Sequence, residues 1–252
     1  MYDLQKANVW KRISAFLFDL IMLVIAIVAS ALFLSAMLGY DGLSEKLESS
    51  YEKYEELYGV DFEITAEEYD KLDEASRKKY DDAKKAVSDD ADIMRLYELM
   101  INYTLIIITF SVLIAHLLLE FFVPLLFKNG QTLGKKIFGV GVMREDGVKI
   151  SNPALFVRAI LGKYTIETMI PVMTVALMVS GVMGIFGVVV LGILLVTEIA
   201  VCAVDQNRPM IHDKMARTVC VDLASQMIFE SESEMLEYKK RLQREKAEKQ
   251  TY

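Results

Sequence analysis

Four carboxylates stand inside runs that otherwise read as lipid-soluble: Asp19, Glu120, Glu167 and Glu198. His116 precedes Glu120 by four residues and so shares its helix face. Ionisable groups inside a membrane are costly and usually face a bundle interior or a watery cavity. Oxygen donors suit hard cations such as sodium, and carboxylates placed close together hold protons more tightly than isolated ones. The chemistry these residues offer is exchange of a monovalent cation for a proton. Two other readings stand beside it. The acids could pair with Arg12, Arg158 and Lys163 to fix helix packing, or they could lie at the level of the headgroups.

The runs that carry them cover 13–38, 101–127, 154–180 and 184–204. A bilayer core of about 30 Å takes roughly 20 residues of helix, and each run is about that long. Of the 252 residues, 54% are apolar and 25% charged; the two figures are compatible because the charges lie between the runs. The fold class expected is an all-α membrane protein, a bundle of four transmembrane helices with a charged helical insertion outside and a small β-hairpin-like loop inside. The divisions are 1–38 (amino terminus and first span), 39–99 (acidic insertion), 100–127 (second span), 128–153 (interfacial loop), 154–180 (third span), 184–204 (fourth span) and 205–252 (tail). The first run is too long for a signal peptide, and Asp19 interrupts what would be its core, so a retained helix is expected.

Basic residues near helix ends set the orientation. Lys6, Lys11 and Arg12 precede the first span against Asp3. Residues 128–153 carry Lys128, Lys135, Lys136, Arg144 and Lys149 against Glu145 and Asp146. Residues 39–99 hold 19 acidic and 9 basic residues. This places both termini and the 128–153 loop in the cytoplasm and the acidic segment outside. Glu and Lys with Ala favour helix there, and Tyr51, Tyr54 and Tyr58 recur at helical spacing. Two or three helices are expected at the outer mouth, with a loosely ordered insertion as the competing reading.

Enzyme signatures are weak. Gly130 to Lys135 spaces two glycines and a lysine one residue short of a phosphate loop, and no Ser or Thr follows the lysine. His212-Asp213 lacks the further histidines of a phosphohydrolase site. Cys202 and Cys220 form no CxxC pair. Neither a cofactor nor a metal beyond a monovalent cation is expected. Apolar residues alternating with glycine and valine in 137–143, a Glu-Asp-Gly turn and 148–150 signal a β-hairpin. Residues 218–221 read as a short strand, and Asp213 as a structural residue that caps or pairs with basic neighbours, Lys135 or Lys136 among them.

Three pieces together resemble the RDD family of bacterial membrane proteins: Arg12 and Asp19 in KRISAFLFD, GQTLGKKIFGVGV after the second span, and IHDKMARTVCV after the last. The resemblance covers almost the whole chain except the acidic insertion and the tail. It implies that Arg12 and Asp19 are the family's arginine and first aspartate. Asp213 or Asp205 is then the second, and Gly130, Gln131, Gly134, Lys135 and His212 belong to the motifs. It also implies a multi-pass protein of the bacterial cytoplasmic membrane. Cation/proton antiport has been proposed for some members, and four helices suggest a homo-oligomer. The alternative is a non-transporting scaffold or sensor that binds an extracytoplasmic protein through its acidic segment. The lipid bilayer is the constant partner, and no nucleic acid is expected. Asp19, on this reading, faces Glu120 or Glu198, with Arg12 screening it from the cytoplasmic edge.

The charge asymmetry yields a topology test. Single cysteines introduced within 39–99 should react with an impermeant maleimide added to intact cells. Those within 130–151 or after 205 should react only once the membrane is opened.

Overall fold

The computed structural model describes residues 5–127, 129–205 and 208–250. Asp3 and Lys128, counted above in the charge balance, lie outside the described residues. Four helices are long and apolar enough to cross a membrane: Val9–Leu38, Ala91–Phe127, Asn152–Val179 and Gly184–Val204. The apolar windows of the first and fourth are only 6% buried. Surfaces such as Ile21, Phe33, Ile193 and Leu195, each more than half exposed, would be untenable in water at this density and fit contact with lipid.

The chain divides into two compact units. The second, Val28–Ser111, holds the acidic segment. The first helix, α1 (Val9–Leu38), runs into it; α2 (Tyr40–Tyr58), α3 (Ala66–Lys71) and α4 (Glu74–Asp89) follow, and α5 (Ala91–His116) leads out. Leu47, Val87 and Ile93 form its core, with Tyr51, Tyr54 and Phe62 packed against them. Thr65 and Glu68 form a capping box at the start of α3, and Asp73 caps α4. The segment is a packed helical unit, not a loose insertion. The helix that carries the second span starts at Ala91, so it takes in the end of the acidic segment without a break.

The first unit comprises the chain up to Ile27 and from Val112 onward. Here two spans depart from α geometry. A π-helical turn, Leu117–Phe122, interrupts the second span before α6 (Val123–Phe127). A longer one, Val157–Met169, joins α8 (Asn152–Phe156) to α9 (Ile170–Val179). The winding matters for the site. Nine α residues are two and a half turns, which would set Arg158 and Glu167 on opposite faces. At about 4.4 residues per π turn the same nine are close to two turns, so Arg158, Lys163 and Glu167 come to one side.

The segments after the second and fourth spans fold around a two-stranded antiparallel sheet. The strand β1 (Val140–Arg144) pairs with β2 (Thr218–Asp222), Val142 opposite Cys220. The expected hairpin is present in short form: the chain turns at residues 145–147, the Arg144 amide donates to the Val148 carbonyl at 2.8 Å, and Lys149 bridges back to Met143. The main partner of β1 was not expected and comes from the segment after the last span. The reason is burial: Val140, Val142, Met143 and Val221 are fully enclosed, which a two-armed hairpin alone could not achieve. Two short helices flank the sheet, α7 (Leu133–Ile137) and α11 (Ile211–Ala216). The last span is α10 (Gly184–Val204) and the tail helix is α12 (Glu232–Gln250).

Candidate functional site

Each acid of the spans meets a donor at the loop-facing end of the first unit. Asp19 accepts from the Thr132 hydroxyl and, at 2.7 Å, from the Gly134 amide. Thr132 in turn caps α7, accepting from the Lys135 amide. The carboxylate thus sits on a helix amino terminus, where free amides and the helix dipole favour negative charge. Gly134 is required for this approach, because a Cβ there would lie 2.3 Å from the Ala15 carbonyl oxygen. Asp19 lines one cavity with Glu120 and Glu198, but its charge is met by a loop hydroxyl and a loop amide, which were not expected. Arg12 donates to the Arg208 carbonyl at 3.0 Å.

The start of α11 is held in the same way by two acids. Glu198 accepts from the Ile211 amide at 3.3 Å and Glu167 from the next amide, His212, at 2.9 Å. Met210, at the cap position, offers no side-chain bond of its own. A Cβ on Gly162 would lie 2.5 Å from the His212 Cβ, so the π segment can approach α11 only through glycine.

Beside these contacts lies a buried ion pair. Asp213, 2% exposed, and Arg158, 3% exposed, meet at 2.5 Å. The Thr218 hydroxyl completes the group, donating to Asp213 at 3.1 Å and accepting from Arg158 at 3.0 Å. Asp213 pairs with a basic group, but the partner is Arg158 and not Lys135 or Lys136. Burial alone would raise its pKa; Arg158, then His212, hold it well below the ordinary carboxylate range. Asp205, the other aspartate of the motif, forms an exposed pair with Lys214 at 2.6 Å.

His212 links the two arrangements. Its Nε2 lies 3.1 Å from an Arg158 nitrogen and its Nδ1 2.8 Å from Glu167. Guanidinium can only donate, so Nε2 is the acceptor and the Nδ1–H donates to Glu167. The ring is neutral in this arrangement. Burial, aided by Arg158 against the pull of Asp213, lowers its pKa.

Glu120 pairs with Lys163 at 2.6 Å. His116 donates through Nδ1 to the Val112 carbonyl and accepts at Nε2 from Thr168; it binds no acid directly. Gly130 turns the chain at φ +61°, and buried Gln131 donates to the Val140 carbonyl at 2.9 Å. A cavity of about 1020 Å³ touches the acids of the spans and Asp213. Its wall carries Asp19, Glu120, Glu167, Glu198 and Asp213 against Arg12, Lys135, Arg158, Lys163 and Arg208, five charges of each sign. Among the described residues, no group of His, Cys, Asp and Glu is arranged to hold a metal ion.

The sequence profile of the RDD family matches residues 6–217, most of the chain. The chain belongs to the RDD family. No curated protein and no solved structure matches it. The matched range takes in every residue of the two docked helices and the Arg158–Asp213 pair, and the tail helix α12 lies beyond it. The hydroxyls of Thr132 and Thr218 were not anticipated. Thr132 carried a usable signal, a threonine directly before a short helical stretch; Thr218 carried none.

Two expectations follow. Asp213→Asn leaves the Arg158 charge buried without a counter-charge and should cost about 3–5 kcal/mol of stability, whereas Arg158→Met with Asp213→Leu should recover much of it; thermal melting in detergent compares them. Neutral His212 sets a pH dependence. Its folded pKa lies below the unfolded value of about 6.5, so its contribution is present above that value. It is lost as pH falls, because the unfolded ring takes a proton that the folded ring resists. The melting temperature should drop below about pH 6.5, and His212→Gln should flatten that limb.

Proposed function

We propose that this RDD-family membrane protein is a small transporter exchanging a monovalent cation for a proton, with Glu198 as the exchanging group and Glu167 and His212 beside it. One observation carries the reading. Among the described residues Glu198 accepts a single hydrogen bond, from Ile211, while every other acid on the cavity wall has an ion pair or at least two donors. Glu198 and Glu167 occupy consecutive amides, so their charges are close. A cation or a proton on Glu198 offsets that repulsion. Charge-assisted bonds are the stronger ones, so neutralising Glu198 also loosens its hold on α11 and couples the bound ion to a loop helix.

The charge asymmetry supports a cytoplasmic cavity, with both termini in the cytoplasm of a bacterial cell. Four helices are few for alternating access, which favours a homo-oligomer. A second reading, a scaffold or sensor binding an extracytoplasmic protein, is favoured by the packed core of the acidic unit.

Proteoliposomes under imposed sodium, potassium and pH gradients test the proposal. Wild type should show proton-coupled cation flux, and a folded Glu198→Gln variant should lose at least tenfold of it. Unchanged flux in that variant removes Glu198 from the mechanism. No flux in wild type favours the scaffold.

A further inference from the structure

The charges on the cavity wall are equal in number but not evenly matched. Lys163 is taken by Glu120 at 2.6 Å and Arg158 by Asp213 at 2.5 Å. The Lys135 ammonium forms no ion pair or hydrogen bond with any described residue, although it lines the same cavity. Two cations therefore stand near it with their own acids already engaged. Burial, then Arg158 and Lys163, push the Lys135 pKa down to about 8, as expected of a cation short of a counter-charge.

Most of the rest of the wall is apolar, with His116, Thr168 and His212 as its polar members. Leu20, Leu23 and Val24 come from α1, and Leu191, Leu194 and Leu195 from α10. These are the two spans with the least buried apolar windows, so the cavity lies between helices whose outer surfaces suit lipid. Its volume of about 1020 Å³ stands at the upper end of ligand pockets, roughly 300–1,000 Å³. An occupant needs one anionic end and a long apolar body. Basic pockets between membrane helices bind anionic lipid headgroups, and lysine binds phosphate as a point charge.

We propose that this cavity holds an anionic phospholipid of the surrounding bilayer, its phosphate on Lys135 and an acyl chain along the walls of α1 and α10. A free phosphate would meet the charge but leave the apolar walls without a partner. The lipid would share its cavity with Glu198, but the inference does not rest on ion exchange there, and its test reads binding, not flux.

The full chain is delipidated in detergent and titrated with phosphatidylglycerol, phosphatidylcholine of the same chains, or sodium phosphate. Thermal melting and native mass spectrometry follow binding. Phosphatidylglycerol should raise the melting temperature by several degrees and stay bound in the gas phase, with phosphatidylcholine giving less than a third of the shift and phosphate none. Lys135→Gln should abolish the preference for phosphatidylglycerol and Lys135→Arg should restore it. Leu194→Trp, which fills the cavity and keeps the lysine, should reduce bound lipid at least fivefold; it serves also where Lys135→Gln does not fold. Equal effects of the two lipids, a preference retained in Lys135→Gln, or lipid bound undiminished in Leu194→Trp would each overturn the proposal. A shift reproduced by phosphate alone would make the site one for a soluble anion.

Discussion

An acid at the end of a membrane span needs a donor, and in this protein the main donors are the first amides of two short loop helices. Asp19 takes the start of α7; Glu167 and Glu198 take the start of α11. Helices of five and six residues are marginal alone. What holds them is tertiary: a carboxylate at the amino terminus, a glycine that lets the backbones approach, and a β-sheet that joins the two loops. The segment after the second span and the segment after the fourth thus become one layer fastened to the spans at two points.

The Arg158–Asp213 pair fixes the register of that layer. A buried pair often adds little net stability over apolar residues of the same shape, but breaking one side leaves a charge in a poor solvent. With Thr218 and neutral His212 as further partners, the guanidinium accepts essentially one arrangement of α11. The same network makes the site sensitive to protons, because His212 can serve Arg158 only while Nε2 is free.

Much of the fold was legible in the sequence. The four spans follow from run length alone, and the helical character of the acidic segment from its Glu, Lys and Ala content and tyrosine spacing; the strand expected at 218–221 is β2. The motifs around Arg12, Gly130 and His212 lie together around the loop helices and the cavity. The contacts did not follow. Reading Val157–Met169 as an α-helix sets Glu167 opposite Arg158, and only π winding brings them together. Asp19 was read against other acids because periodicity shows which face a residue occupies and not which loop folds over it. The pairing of β1 with β2 spans about 80 residues and two membrane helices, a separation that no local turn signal encodes.

The claim that membrane acids fasten the loop helices is tested most directly by a double-mutant cycle between Asp19 and Thr132, which contact across the first span and α7. Stability in detergent is measured for Asp19→Asn, Thr132→Val and the double variant. A hydrogen bond to a charged group contributes about 1.5–3 kcal/mol, and contacting pairs show coupling of about 0.5–3 kcal/mol. Coupling of about 1 kcal/mol or more is expected, the double variant being less destabilised than the sum of the two single changes. Additive effects would show that the acid does not hold the loop helix.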